Sequence, residues 1–476
     1  MARIGVLTFS DGRSYAHDPQ IAELEEFQRR LQRALADLGH ELVLGELVHS
    51  NQTARDQAER LARAGVEATI FHYAVWAFPQ FSVVASRFPL GPLLLLGQIN
   101  PAKPGMVAVL AAAGALEQLG LLPTRVFGQI SEPAVLARVD AWARAAHASR
   151  ALRGQTYGLI GGRSIGINTA VSNTDQWAKQ FGVDVEHIDQ WEVVRRASAV
   201  DPERVKRGRI WLEHQVRKVH YDGVQLTPAK LERQVAAYHA LRELAAEKGL
   251  DFLGIKGQPE LTEHYATMDV PEAFLNDPYD WEGPHPPLIC STEADMDAAL
   301  TMQILHLLSG SPVLFADVRH YLGENIFDLV NSGQHPTFFA ARSQDPAVNL
   351  AEVELHPQGF YFPAGGASVF HVAAPGPVTL ARLSRLDGRY RMHLLRAELL
   401  RLEPAREAEV IAEVQPNWPH AFAKLEASAE VFLQSFPSNH VHAVPGDWVA
   451  ALLQVCRNLG VEPVPLGAAA GELGYA

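Results

Sequence analysis

Two carboxylates in the middle of the chain stand just after short apolar runs. Glu293 follows Leu288–Cys290 in Cys290-Ser-Thr-Glu293-Ala-Asp-Met-Asp, and Asp317 follows Val313–Ala316 in Phe315-Ala-Asp317. Both runs read as strands flanking a helix at about 293–308, which Ser291 or Thr292 is placed to cap. Neighbouring parallel strands would put both carboxylates on one sheet edge, where open α/β sheets bind ligands. Carboxylates held close repel each other and lose hydration unless a cation or a proton lies between them. The pair therefore points to a divalent metal or to an acid/base pair. The plainer reading is a favourable first-turn charge at Glu293 and a loop cap at Asp317.

Imidazoles are the next requirement. The chain holds 20 histidines, and two stand out by context. His335 lies in Asn331-Ser-Gly-Gln-His335, 18 residues past Asp317, and His440 lies in Phe436-Pro-Ser-Asn-His440-Val-His442, with His442 a competitor. Mixed carboxylate and imidazole ligands favour Mn²⁺ or a similar ion over thiolate-bound zinc. Gln258 and Glu260 sit in a loop after a strand-like run at Phe252–Ile255, and we expect them to line the same pocket.

The elements that must carry these residues alternate between strand-like and helix-like stretches. Strand-like runs at Arg3–Phe9, Leu42–Leu44, Ala68–Tyr73, Leu93–Ile99 and Arg125–Phe127 are separated by helical ones, which predicts a Rossmann-like α/β domain with a parallel sheet over 1–152. A second such domain is predicted over 153–345. From about 346 the chain has short alternating segments punctuated by Pro-Gly, Asp-Gly and Gly-Gly pairs, which predicts an antiparallel, barrel-like β domain over 346–476. The fold class is thus α/β, two parallel-sheet domains followed by a β-rich one.

Composition narrows the function. A formal net charge of −13 argues against nucleic-acid binding, where basic surface does most of the work. The two cysteines, Cys290 and Cys456, form no C-x-x-C pair, so neither a disulfide framework nor a thiolate metal site is expected. The N-terminus runs directly into a strand and no apolar stretch reaches membrane-spanning length, so a cytoplasmic protein with no membrane partner is expected. Two other readings compete. Gly158-Leu-Ile-Gly-Gly-Arg-Ser-Ile-Gly166, with Glu186 further on, suggests an NAD(P)-dependent oxidoreductase, although the spacing is not G-x-G-x-x-G. The layering also suits a non-catalytic sugar-binding protein.

The stretch 288–320 resembles the metal-binding region of L-fucose isomerases, in which an aspartate in a Phe-Ala-Asp-Val run follows a glutamate by 24 residues, the interval between Glu293 and Asp317. His440, after an asparagine near the C-terminus, matches that family's third ligand, and Asn331-Ser-Gly and Asp11-Gly-Arg13 are similar to its motifs. His335 resembles the additional histidine ligand of the sister L-arabinose isomerases. The resemblance implies a metal-dependent aldose–ketose isomerase acting on a small sugar such as L-fucose, D-arabinose or L-arabinose through a cis-enediol. It implies Mn²⁺ or another divalent cation held by Glu293, Asp317 and His440, with His335 as a fourth ligand or a substrate contact. Glu293 and Asp317 would also move the proton. It further implies a homo-oligomer, trimer or hexamer, in which Arg13 and Trp76 reach the site of a neighbouring subunit. The chain is shorter than typical members and lacks a long segment between Asn331-Ser-Gly and the β domain that shapes their sugar pocket, so the resemblance implies a class of sugar rather than one sugar.

Overall fold

Along the first strands of the protein, successive side chains face different helices. The computed structural model describes residues 1–332, 334–359 and 361–475. β1 (Arg3–Phe9), β2 (Glu41–Leu44), β3 (Ala68–Tyr73), β4 (Leu93–Gly97) and β5 (Thr124–Phe127) form one sheet in the order β2-β1-β3-β4-β5, parallel throughout. Leu7, Phe71 and Leu95 pack against Leu61 of the helix Asn51–Arg63 and Leu116 of the helix Gly105–Glu117. Val6, Ile70 and Leu94 pack on the other face against Leu31 of the helix Ile21–Ala36 and Trp142 of the helix Pro133–Ala151. The two-residue period of a strand thus turns one apolar run into two cores.

The described residues divide into two compact units, 1–151 with 450–459, and 152–449 with 460–475. The second unit adds β6 (Thr156–Ile160), β7 (Asp184–Ile188), β8 (Lys218–Val219), β9 (Phe252–Ile255), the short hairpin β10 (Tyr279–Asp280) and β11 (Gly283–Pro284), and β12 (Cys290–Thr292). β12-β9-β6-β7 is a parallel sheet. β13 (Leu314–Gly323), β14 (Ile326–Val330), β17 (Gly376–Leu386), β18 (Arg389–Leu400), β19 (His420–Leu425), β20 (His440–Pro445) and β21 (Glu462–Pro465) follow, with β15 (Glu354–Pro357) and β16 (Ala367–Phe370) between. They form a mixed seven-stranded sheet, β17-β20-β13-β14-β19-β18-β21, and a three-stranded sheet, β16-β15-β8.

Two expectations are corrected. The mixed sheet takes in β13 and β14, ahead of residue 346, where the left-handed pair Glu324 and Asn325 (φ 52° and 61°) turns β13 back into β14 as a tight hairpin. Asp317 therefore does not share a sheet with Glu293. It lies on β13 of the mixed sheet, whereas Glu293 follows β12 of the parallel one. The helix between them is Met296–Ser309, capped by Asp295 rather than by Ser291 or Thr292.

The glycine-rich stretch after β6 does not open a helix. Gly161, Gly162 and Gly166 are left-handed, and the next α-helix starts at Thr174, so no helix N-terminus stands where a dinucleotide pyrophosphate would rest. Both cysteines are buried and free. No described helix is long and apolar enough to cross a membrane.

Candidate active site

Glu293 is held in an unusual backbone. It and Ala294 are both left-handed, at φ 59° and 51°. Such residues without glycine's freedom cost on the order of 1–3 kcal/mol each and persist only where the surroundings over-determine them. Here the surroundings come from β9. The Ala294 amide donates to the Ile255 carbonyl at 3.0 Å. Gly254 lets the turn press onto the strand: a Cβ there would collide with the Tyr157 hydroxyl and Ser291 Oγ and lie 3.1 Å from Ala294 Cα. Asp295 then starts the helix, its Oδ1 accepting from the Ala298 amide at 2.9 Å.

The antiparallel register of β13 and β20 places Asp317 opposite His440. His440 Nε2 lies 3.1 Å from Glu293 Oε2 and 3.6 Å from Asp317 Oδ1. Its Nδ1 lies 2.6 Å from Asp295 Oδ2. Asp295 is itself paired with Arg382 at 2.9 Å, and both are buried. Asn439 Nδ2 donates to Asp317 Oδ1 at 2.9 Å. His442, two residues on, turns Nε2 to within 3.3 Å of Arg382 Nη1, so a guanidinium occupies the direction a ligand would need. Of the two histidines, His440 is the one that faces Glu293 and Asp317.

Charge follows this geometry. Burial alone would push the His440 imidazole down, but hydrogen bonds to Asp295 and Glu293 and the charge of Asp317 hold it up at about 9. Burial would raise Asp295, yet Arg382 and His440 keep its carboxyl well below the usual range. Asp317 is raised by burial and by the nearby charge of Glu293, which His440 only partly offsets. Two carboxylates face one imidazole whose other nitrogen is fixed by a third carboxylate. By type, such a donor set with its outer nitrogen held suits a divalent cation, although among the described residues the three ligand atoms do not all lie within 4.8 Å of one another.

A polar ring supports Glu293 from behind. The Thr292 hydroxyl donates to Glu272 at 2.5 Å and accepts from Gln334 Nε2. Burial and the charge of Glu293 push the Glu272 carboxyl up to about 8, against the hydrogen bonds from Thr292 and Gln334. Gln358 Nε2 donates to Asp269 and to the Ser332 carbonyl, while its oxygen accepts from Trp418 Nε1 at 2.9 Å.

The remaining expected residues make no hydrogen bond or ion pair with Glu293, Asp317 or His440 among the described residues. His335 is fully buried, with neither ring nitrogen hydrogen-bonded to a described residue, and its ring centroid is 6.1 Å from that of His371. Gln258 uses its carbonyl to accept from Ser164 Oγ at 3.1 Å, and Glu260 is half exposed and paired with Lys256 at 2.7 Å. Arg13 belongs to the first unit, where it forks onto Asp11 at 2.8 and 2.6 Å. Trp76 packs partly buried against that unit's core.

Three family models match the chain: L-fucose isomerase, first N-terminal domain, over residues 1–154; second N-terminal domain, over 240–310; and C-terminal domain, over 329–464. The chain belongs to the L-fucose isomerase-like family. It is accordingly a sugar aldose–ketose isomerase. An L-fucose isomerase from Streptococcus pneumoniae is 26% identical over 397 residues, covering 69% of this chain and 67% of the relative. One from Bacteroides thetaiotaomicron is 24% identical over 435 residues, covering 76% and 73%. A periplasmic solute binding protein from Actinobacillus succinogenes 130z with bound D-allose is 11% identical, with 65% of this chain and 93% of that one covered and a TM-score of 0.18.

Within this L-fucose isomerase-like chain, sequence reasoning passed over Asp295, Arg382 and Glu272 and read Thr292 only as a helix cap. Asp295 and Thr292 stood inside the segment that singled out Glu293, and Asp295 was legible as a helix cap in front of Met296. Arg382 and Glu272 carried no local signal, since each acquires its partner only through the fold.

Proposed function

We propose that this isomerase interconverts a small aldose, such as L-fucose, D-arabinose or L-arabinose, and its ketose through a cis-enediol, using Mn²⁺ or another divalent cation. Glu293, Asp317 and His440 would hold the ion, with His335 kept as a fourth ligand or a substrate contact. The observation that carries the reading is His440, whose Nε2 faces Glu293 and Asp317 while Asp295 fixes Nδ1. A bound divalent ion supplies Lewis-acid polarisation of the sugar carbonyl.

The chain's own residues move the proton. In the open-chain aldose, a carboxylate of the Glu293/Asp317 pair takes the proton from C2 while O1 gains a proton, which gives the cis-enediol; a carboxyl of the pair then returns a proton to C1 while O2 gives up its own, which leaves the C2 carbonyl of the ketose. The left-handed turn at Glu293 fixes the angle of its carboxylate, and Asp295 fixes the His440 ring. Gln258 and Glu260 are proposed to line the pocket. Arg13 and Trp76 are proposed to reach the site of a neighbouring subunit in a homo-oligomer, a trimer or hexamer, in the cytoplasm. The three-part division at 152 and 345 is kept as the proposed domain plan. The extra pairing of β17 with β18 supports a barrel-like third part.

The test is a panel of L-fucose, D-arabinose, L-arabinose and other aldoses, assayed for ketose with Mn²⁺ and with EDTA. Conversion of at least one aldose that EDTA abolishes and Mn²⁺ restores is expected. Conversion that is indifferent to EDTA would remove the metal from this reading, and no conversion of any aldose would remove the substrate class.

A further inference from the structure

A second cluster of metal-ligating side chains lies on the small sheet, away from β13 and β20. β8 runs parallel to β15, with Lys218 opposite Glu354 and Val219 opposite Leu355. The His220 amide continues the ladder, donating to the Leu355 carbonyl at 2.8 Å. That register sets His220 beside His356. Glu354 and His356, two apart on one strand, share a face. Three potential ligand atoms, one each from His220, Glu354 and His356, lie within 4.8 Å of one another, and among the described residues this is the group of three that meets that limit.

The arrangement differs from an ordinary ion pair. Both imidazoles aim Nε2 at the same oxygen, Glu354 Oε2, at 2.6 Å from His220 and 3.3 Å from His356. The two rings stack with centroids 4.1 Å apart and planes 22° apart, an arrangement that two imidazolium cations would resist. His356 Nε2 is buried and makes no hydrogen bond within the described residues. Glu354 also has Arg217 at 3.9 Å on its other oxygen, which leaves Oε2 to the histidines. All three side chains are partly buried, so solvent can supply the remaining position.

We propose that His220, Glu354 and His356 form a second, structural metal site for Zn²⁺ or a similar borderline divalent ion. Two neutral imidazoles and one carboxylate suit such an ion far better than Mg²⁺ or Ca²⁺, which prefer all-oxygen shells. Its role is mechanical: it clips β8 to β15 across a separation of more than a hundred residues in sequence. The site is independent of Glu293, Asp317 and His440, and it does not rest on the function proposed for them.

The experiment uses the full chain stripped with EDTA and dialysed, then titrated with Zn²⁺ and followed by calorimetry and thermal melting. A Glu293→Gln/Asp317→Asn variant isolates the second site. It is expected to bind one equivalent of Zn²⁺ per chain and to rise in Tm as it does. Adding His220→Ala and His356→Ala to that variant should remove both the bound equivalent and the Tm rise. Co²⁺ in place of Zn²⁺ should give visible d–d absorption that disappears with the same substitutions. If His356→Ala does not fold, by circular dichroism, Glu354→Gln serves instead, and loss of the equivalent there supports the site. Absence of Zn²⁺ binding in the Glu293→Gln/Asp317→Asn variant, or its survival in the histidine variants, would overturn the proposal.

Discussion

The protein pairs imidazole with carboxylate in two places, and the two are built in opposite ways. Around His440, one fully buried ring meets three carboxylates, Glu293, Asp295 and Asp317, and the chain spends backbone strain to hold one of them. Around Glu354, one carboxylate meets two partly buried rings on regular strands. Excess negative charge in a dry place is costly unless something cationic joins it, and that cost is what a reaction centre converts into binding and proton transfer. A carboxylate outnumbered by imidazoles at the surface carries no such penalty. It can bind an ion without being poised for chemistry.

The sharpest way to break this contrast is to make the same substitution in both clusters. Glu293→Gln should lower turnover by a factor on the order of 10³ while leaving the melting curve cooperative, since general acid–base groups contribute on that scale. Glu354→Gln should leave turnover unchanged. Equal losses in a steady-state assay would show that burial and strain do not separate the two sites.

Asp295→Asn probes the outer carboxylate that the Glu354 cluster lacks. It weakens the hold on His440 Nδ1 and leaves Arg382 buried beside a neutral amide. Turnover or Mn²⁺ affinity should fall about 10–100-fold, as for other carboxylates that orient a ligating histidine. Isothermal titration with Mn²⁺ checks this directly, and an unchanged affinity would reduce Asp295 to a helix cap.

Gly254→Ala tests whether strain at Glu293 depends on the strand behind it. The new methyl group meets Ser291, Tyr157 and Ala294. Stability should fall by about 1–3 kcal/mol, as overpacking typically costs. Turnover should fall more than Tm alone explains, because the turn bearing Glu293 is what must move. Denaturant titration beside kinetics separates the two.

The smallest effect is in pH. Glu272, behind Glu293, is pushed up to about 8 from an ordinary value of 4.5. A carboxyl raised in the folded state contributes stability that is full below about 4.5 and is lost as pH rises through about 8. Glu354 is shifted the other way: burial would raise it, but the hydrogen bond from His220 and the charge of His356 lower it below 4.5. Its contribution is full above that value and is lost as pH falls through its folded value. Melts of the metal-free protein across pH should therefore lose their alkaline slope in Glu272→Gln and part of their acid slope in Glu354→Gln. A Glu272→Gln protein with an unchanged alkaline limb would contradict the assignment.

Much of this was legible in the residues, and the failures share one cause. The N-terminal parallel sheet shows because each strand is a continuous apolar run bounded by helices, a local pattern. Glu293, Asp317 and His440 stood out through their types and motifs. Their relation did not, because β13 finds its partner in β20, more than a hundred residues away, and no local period records that pairing. The same non-locality hid Arg382, which reaches Asp295 only once β17 is in place. Glu272 sits in a short helix, Asp269–Asn276, whose residues are all buried, and nothing in its neighbours marks it as different from a surface acid. His335 was prominent by its motif, and its buried ring lies 6.1 Å, centroid to centroid, from that of His371, a neighbour no local pattern announces.

The left-handed alanine at 294 has a consequence for anyone who would evolve this protein in the laboratory. Ala294→Gly would relieve the conformation and raise the stability by up to about 1 kcal/mol, in the manner of glycine at other positive-φ positions. The same change would loosen the hinge on which the Glu293 carboxylate is mounted. A selection for heat resistance would therefore collect Ala294→Gly, and a selection for catalysis would discard it. Which residue a lineage keeps at 294 would then record which of the two demands it has lived under.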